Sequence, residues 1–140
     1  DGKPFTKDLS KLYKYEITQQ GSQVAFIALG SFYGLGVEAA KLIEKKTGVK
    51  ATVINPYYIT GIDKEMLESL KADHKIVITL EDVLEGGFGE KIARFYGDSD
   101  VKTLCFGLEK KFYDRYDPAE VLKENHLTPE QIAEDVIKTL

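Results

Sequence analysis

The run Ile76-Val-Ile-Thr-Leu-Glu-Asp-Val-Leu-Glu-Gly-Gly-Phe-Gly89 decides the fold. Its first five residues do not alternate between apolar and polar, so they read as a strand covered on both faces; a strand with one wet face would alternate. Acidic residues and a glycine cluster follow at once, and beyond them Ile92, Ala93 and Phe95 return at helical spacing before Gly97. A buried strand that runs straight into a helix is half of a βα unit. In parallel sheets such junctions lie at the carboxyl ends of the strands, where helix N-termini face ligands or neighbouring domains.

Three more strand-like runs flank it at intervals of about 25 residues, the spacing of βα units: Val24–Leu29, Ala51–Ile54 and Val101–Phe106, with Lys75–Leu80 between the last two. A fifth candidate, Tyr13–Thr18, is tied to the next strand only by Gln19-Gln-Gly-Ser22. So short a link predicts an antiparallel hairpin, because a parallel crossover takes a dozen residues or more. The intervening helices carry one apolar face each: Leu35, Ala39, Leu42 and Ile43 in the first, with Gly48 at its C-terminal stop, and Met66, Leu67 and Leu70 in the second, with Asp63 as N-cap. Near the C-terminus, Tyr116-Asp-Pro-Ala-Glu-Val121 and Leu127-Thr-Pro-Glu-Gln-Ile132 are helix starts with proline in the first turn. In the second, Gln131 is placed to close a capping box on Thr128. Ile132, Val136 and Leu140 form the face that packs this last helix on the common core. The pattern predicts an α/β fold: three layers, α/β/α, around a sheet of about five strands, mostly parallel with the first antiparallel. Residues 1–12 form an extended lead-in from an upstream domain, and residues 13–140 form the domain.

With 140 residues, 43% hydrophobic and 30% charged, the chain builds one core. A net charge of −4 argues against nucleic acid, which needs clustered basic residues. Only two of the 19 basic residues are arginines, Arg94 and Arg115, too few for a bidentate clamp on a phosphorylated substrate. The one cysteine, Cys105, sits in an apolar run and reads as a small hydrophobe. No apolar stretch approaches the length of a membrane span, and the polar start at Asp1 has neither a signal region nor a methionine. Those features predict a cytoplasmic chain that belongs to something longer and has no membrane partner.

Several residues are candidates for chemistry. Gly30-Ser-Phe-Tyr-Gly-Leu-Gly36 follows a buried strand and opens a helix, as phosphate loops do, yet it lacks both the G-x-G-x-x-G spacing and a Walker lysine. Glu81, Asp82 and Glu85 could share acid/base work. The commoner roles at this position are capping the helix near Gly86, by Asp82 or Glu85, and contact with a neighbouring domain. His74 and His126 have no metal-ligand spacing with Cys105 and read as surface or capping groups. Tyr57, Tyr58, Tyr113 and Tyr116 suit either an interface or the edge of the domain's own core.

Taken in order, Ala28-Leu-Gly30, the Val53-to-Asp63 junction, Thr79-Leu-Glu81 before Gly86-Gly-Phe-Gly89, and Phe106-Gly-Leu108 before Phe112 resemble the C-terminal domain of transketolase-like enzymes. Within that group the likeness is nearest to the 1-deoxy-D-xylulose-5-phosphate synthases and covers roughly Tyr13 to Leu140. The chain departs from their pattern at Tyr57-Tyr-Ile-Thr-Gly-Ile-Asp63, which keeps only the final acid, and at Arg115-Tyr116. The resemblance implies a parent that binds thiamine diphosphate and magnesium between two upstream domains. That parent would join a two-carbon unit from pyruvate to glyceraldehyde 3-phosphate, for isoprenoid precursors and thiamine, as a homodimer. In this chain it implies no cofactor, metal or catalytic residue, the family's Gly-Asp-Gly anchor being absent. It implies instead an edge that meets the upstream domains or an anion: Gly30, Ser31, Tyr57, Tyr58, Glu81, Asp82, Gly86, Gly87 and Gly89. The alternatives are a transketolase or 2-oxoacid dehydrogenase beta-chain domain, or a free-standing flavodoxin-like module that binds a nucleotide or other anion.

Overall fold

The computed structural model describes residues 15–56, 62–83, 87–108 and 118–140, with the backbone alone at residues 82–83, 108 and 118–120. Five strands form one sheet in the order β1-β3-β2-β4-β5: β1 Glu16–Gln19, β2 Gln23–Ala28, β3 Thr52–Asn55, β4 His74–Val83 and β5 Lys102–Leu108. β2 to β5 are parallel and β1 is antiparallel. The helices are α1 Tyr33–Thr47, α2 Lys64–Leu70, α3 Phe88–Tyr96, α4 Pro118–Glu124 and α5 Pro129–Thr139.

Strand alternation sorts the core into two layers, since successive side chains leave opposite faces. Val24, Phe26, Ala28, Ile76, Ile78 and Leu80 pack against Ala39, Ala40 and Ile43 of α1 and Ile132, Ala133 and Val136 of α5. Ala25, Ile27, Ile54 and Val77 face Leu67 and Leu70 of α2 and Phe88, Ile92 and Tyr96 of α3. Central β2 and β4 are therefore covered on both sides, as their unbroken apolar runs require. α1 lies close on the sheet because Gly36 has no side chain; a Cβ there would stand 3.1 Å from the Ala28 Cβ and 3.3 Å from Leu80 Cδ1.

The hairpin expected between the first two strands does not form. β1 is antiparallel, but its partner is β3, with Glu16 opposite Asn55 and Ile17 opposite Ile54. The link from Gln19 to Gln23 crosses the start of β3 instead of turning back. Four residue steps reach about 13 Å, enough for the roughly 10 Å of two strand spacings. The crossing is tight: Ser22 N donates to Lys50 O at 2.9 Å, and a Cβ at Gly21 would run into the backbone of Lys50 and Ala51. Val24 N donates to Ser22 O, and Gln23 between them has φ 66, a three-residue turn that side chains rarely accept.

Local signals elsewhere hold. Asp63 Oδ1 accepts from Met66 N at 3.2 Å, and Gly48 takes the left-handed position after α1, with φ 78. Thr128 Oγ1 accepts from Gln131 N, but Gln131 does not close the expected box: its Nε2 donates to Lys123 O and its Oε1 accepts from the Thr128 hydroxyl. Tyr96, not Phe95, is the deepest aromatic of α3; its hydroxyl donates to Leu67 O at 2.7 Å and ties α3 to α2. Leu140 lies beyond the end of α5 and is exposed.

Candidate functional site

The carboxyl ends of β2 and β4 are neighbours, joined where Leu29 N donates to Leu80 O at 3.0 Å. From these ends α1 goes to one face of the sheet and α3 to the other. That reversal is the switch point where open α/β sheets place ligands. Gly30 and Ser31 lie here, both exposed, in a single 3-10 turn that Gly30 enters with φ 56. The chain also enters the described structure at this end. Tyr15 N donates to Asp63 Oδ2 at 3.0 Å, so Asp63 caps α2 and pins the incoming strand. One carboxylate thus holds two backbone amides, the helix start and the entry of the strand.

β4 does not stop at its acidic residues. It runs on through Glu81, which pairs with Gly107, before the register against β5 shifts. Glu81 shares a face with Val77 and Thr79, turned toward α3, and is 4% exposed. Its Oε2 accepts from Gly89 N at 2.7 Å. The N-cap of α3 is Gly87, which has no side chain to offer, so a buried carboxylate from the neighbouring strand serves the helix start. The acid that the structure shows in this role is Glu81, where the expectation was Asp82 or Glu85; Glu85 lies outside the described residues. Gly87 is extended, with φ −84 and ψ −177, a conformation open to any residue.

Gly89, by contrast, has no room for a side chain unless its neighbours shift. A Cβ on it would lie 2.5 Å from Glu81 Oε2, 2.6 Å from Thr79 Oγ1 and 3.3 Å from Cys105 Sγ. Thr79 is fully buried, and its hydroxyl has no well-formed hydrogen bond. Cys105 sits opposite Thr79 on β5. Burial pushes its thiol pKa up, the Thr79 hydroxyl draws it back, and the Glu81 and Glu90 carboxylates raise it further. A thiol is a weak hydrogen-bond partner, so its proximity does not satisfy the Thr79 hydroxyl. With its pKa raised, the sulfur is a poor nucleophile near neutral pH.

The structure thus brings together Gly30, Ser31, Glu81, Gly87 and Gly89 at one edge. It places Asp82 on the backbone of β4, while Tyr57, Tyr58, Gly86, Tyr113 and Tyr116 lie outside the described residues. His74 is not a surface group: it is 4% exposed, its Nε2 stands 2.7 Å from Thr52 Oγ1, and its Nδ1 stands 2.6 Å from Asp73 Oδ1. The sequence shows it only as a polar residue before a strand. His126 is exposed, as expected, and takes the left-handed position after α4 with φ 56, where Leu127 N donates to Leu122 O. A cleft of about 460 Å³, lined by Asp73, His74, Asp98, Ser99 and Asp100, lies at the amino end of the sheet, away from the switch point.

Known proteins share the fold. The sequence matches the family described as transketolase, C-terminal domain, over residues 13–132. A split-gene transketolase, described as an inactive beta4 tetramer, superposes with a TM-score of 0.77 at 24% identity, over 89% of this chain and 40% of its own. Among curated proteins, the 1-deoxy-D-xylulose-5-phosphate synthase of Symbiobacterium thermophilum is 34% identical over 122 residues, 85% of this chain and 19% of the synthase. That of Clostridium perfringens strain SM101 is 31% identical over 139 residues, 96% of this chain and 22% of the synthase. The fold is that of a transketolase-type α/β domain. The chain belongs to the transketolase C-terminal domain family, and it spans about a fifth of the length of the curated relatives it matches.

Proposed function

We propose that this chain serves as the C-terminal, non-catalytic domain of a thiamine-diphosphate-dependent transferase of the 1-deoxy-D-xylulose-5-phosphate synthase type. The observation that carries this reading is the match of nearly the whole chain to one fifth of such synthases, at up to 34% identity. The parent joins the two-carbon unit of pyruvate to glyceraldehyde 3-phosphate with release of carbon dioxide. It does so in the cytoplasm, as a homodimer, with residues 1–12 leading in from the upstream domains.

The described residues of this chain do not offer a site that fits thiamine diphosphate and its magnesium. Among the described residues no three His, Cys, Asp or Glu side chains stand together as metal ligands, and the helix start at the switch point is already taken by a carboxylate. No step is therefore assigned to this chain. Its part is positional: the edge of Gly30, Ser31, Tyr57, Tyr58, Asp82, Gly86 and Gly87 docks on the upstream domains, and the buried pair Glu81 and Gly89 holds that edge in shape. Misplacing catalytic groups by about 1 Å can cost about a hundredfold in rate, so a supporting wall affects turnover without touching substrate. The β4 carboxylate seated on the Gly89 amide also weighs against an anion at Gly86–Gly89, one of the two loops a free-standing anion-binding module would use.

The test mixes this chain with separately purified upstream domains, thiamine diphosphate and magnesium, and follows carbon dioxide release from pyruvate that depends on glyceraldehyde 3-phosphate. The chain alone releases none, and the mixture exceeds the upstream domains alone. Turnover by the chain alone, or no gain on mixing, overturns the proposal.

A further inference from the structure

Helices that start at the carboxyl edge of a parallel sheet are where α/β folds hold phosphates, because their first amides lack partners and the helix dipole favours negative charge. α3 starts at such an edge, and its N-cap contributes no side chain. A helix needing only a satisfied end would take Ser, Thr or Asp at the N-cap itself, in contact with water. Here the acceptor reaches in from a strand eight residues earlier and is 4% exposed. Taking a carboxylate out of water is unfavourable unless strong donors meet it. A second feature converges on the same point. The fully buried Thr79 hydroxyl, lacking a well-formed partner, faces Gly89 from the same side as Glu81 Oε2. An amide donor, a hydroxyl engaged only weakly by the Cys105 sulfur and a missing side chain are the parts of an oxyanion cradle.

We propose that the start of α3 is an anion site filled from within by the Glu81 carboxylate, which closes this edge to carboxylates and phosphates from solution. The carboxylate is tethered to β4, so its effective concentration at the Gly89 amide far exceeds that of a free anion. A free anion reaches that amide only by displacing it. The edge is thereby left to a protein partner, and any phosphate on a substrate is read elsewhere. The inference concerns the residues of this chain alone and does not depend on which enzyme the parent is.

The test is chemical rescue, read as the thermal midpoint of Glu81→Ala and of the unaltered chain in formate, acetate or inorganic phosphate, each against chloride at equal ionic strength. Glu81→Ala melts lower than the unaltered chain, and formate or acetate raises its midpoint saturably while leaving the unaltered chain where chloride leaves it. Equal shifts in the two proteins, or none in Glu81→Ala, overturn the proposal. If Glu81→Ala does not fold, Glu81→Gln serves, since its amide oxygen can still accept from Gly89 but carries no charge. The pH midpoint of Cys105 alkylation then falls, because the Glu81 charge that helps burial to raise the thiol pKa is gone. An unchanged midpoint means that no ionised carboxylate stands there, and overturns the proposal as well.

Discussion

At the amino ends of the parallel strands, Gly21 N donates to Thr52 Oγ1 at 3.0 Å, Thr52 meets His74, and His74 meets Asp73. At the carboxyl ends, a buried carboxylate on β4 holds the first turn of α3, and Asp63 holds both the start of α2 and the incoming chain. The amino end is thus closed by contacts among adjacent strands and the turns between them, with backbone packed on backbone at Gly21. The carboxyl end is closed by charge applied to helix starts. Damage to the amino end should register as lost stability, whereas damage to the carboxyl end should also change what a neighbour meets.

The largest effect is expected from Gly21→Ala. The added Cβ meets the backbone of Lys50 and Ala51, which cannot swing aside, so the loss is about 3 kcal/mol by urea denaturation. A variant as stable as the parent would break the view that this end is packed shut. Gly89→Ala sharpens the contrast. Its Cβ meets side-chain oxygens in place of backbone, Glu81 Oε2 at the end of a chain that can rotate and the Thr79 hydroxyl with less room to give, so the loss is smaller, about 2 kcal/mol. Unlike Gly21→Ala, it also speeds hydrogen exchange at residue 89, where the carboxylate leaves the amide; unchanged exchange would disconnect Glu81 from the helix start.

The smallest effect concerns pH. Burial, with the Asp63 carboxylate adding to it against the opposing hydrogen bond, pushes Tyr15 from 10.0 up to about 12. Burial also raises Tyr96, helped by the Glu68 carboxylate and by Tyr15. In both cases the folded state holds the proton more tightly than the unfolded state. Their contribution is therefore complete below about pH 10 and lost as pH climbs through about 12. Urea unfolding from pH 8 to 12 should show a plateau and then a fall, the fall being shallower in Tyr96→Phe. A plateau that held to pH 12 would contradict the assignment.

How much of this was legible in the sequence depended on whether the signal was local. Unbroken apolar runs and helix punctuation at Gly48, Asp63 and Thr128 disclosed the layers, because each rests on neighbours within a few residues. The pairing of β1 with β3 was not legible: the short link excluded a parallel neighbour but left open a crossing over a strand not yet made. Glu81 was visible as an edge residue, while its bond to Gly89 needed the register that carries β4 past Leu80. His74 looked like a surface residue because its two partners, Thr52 on another strand and Asp73 in the preceding turn, are recruited only when the sheet assembles. Gly89 drew notice as part of a glycine cluster, yet only the positions of Thr79, Glu81 and Cys105 explain why it has no side chain.

Amide hydrogen exchange, compared between this chain alone and the same chain joined to its upstream domains, tests the docking edge most directly. The account predicts added protection at Gly30, Ser31 and Gly87 to Gly89, with Gly21, Asp73 and His74 unchanged. Protection gained at the amino end, with the carboxyl end unaltered, would contradict it.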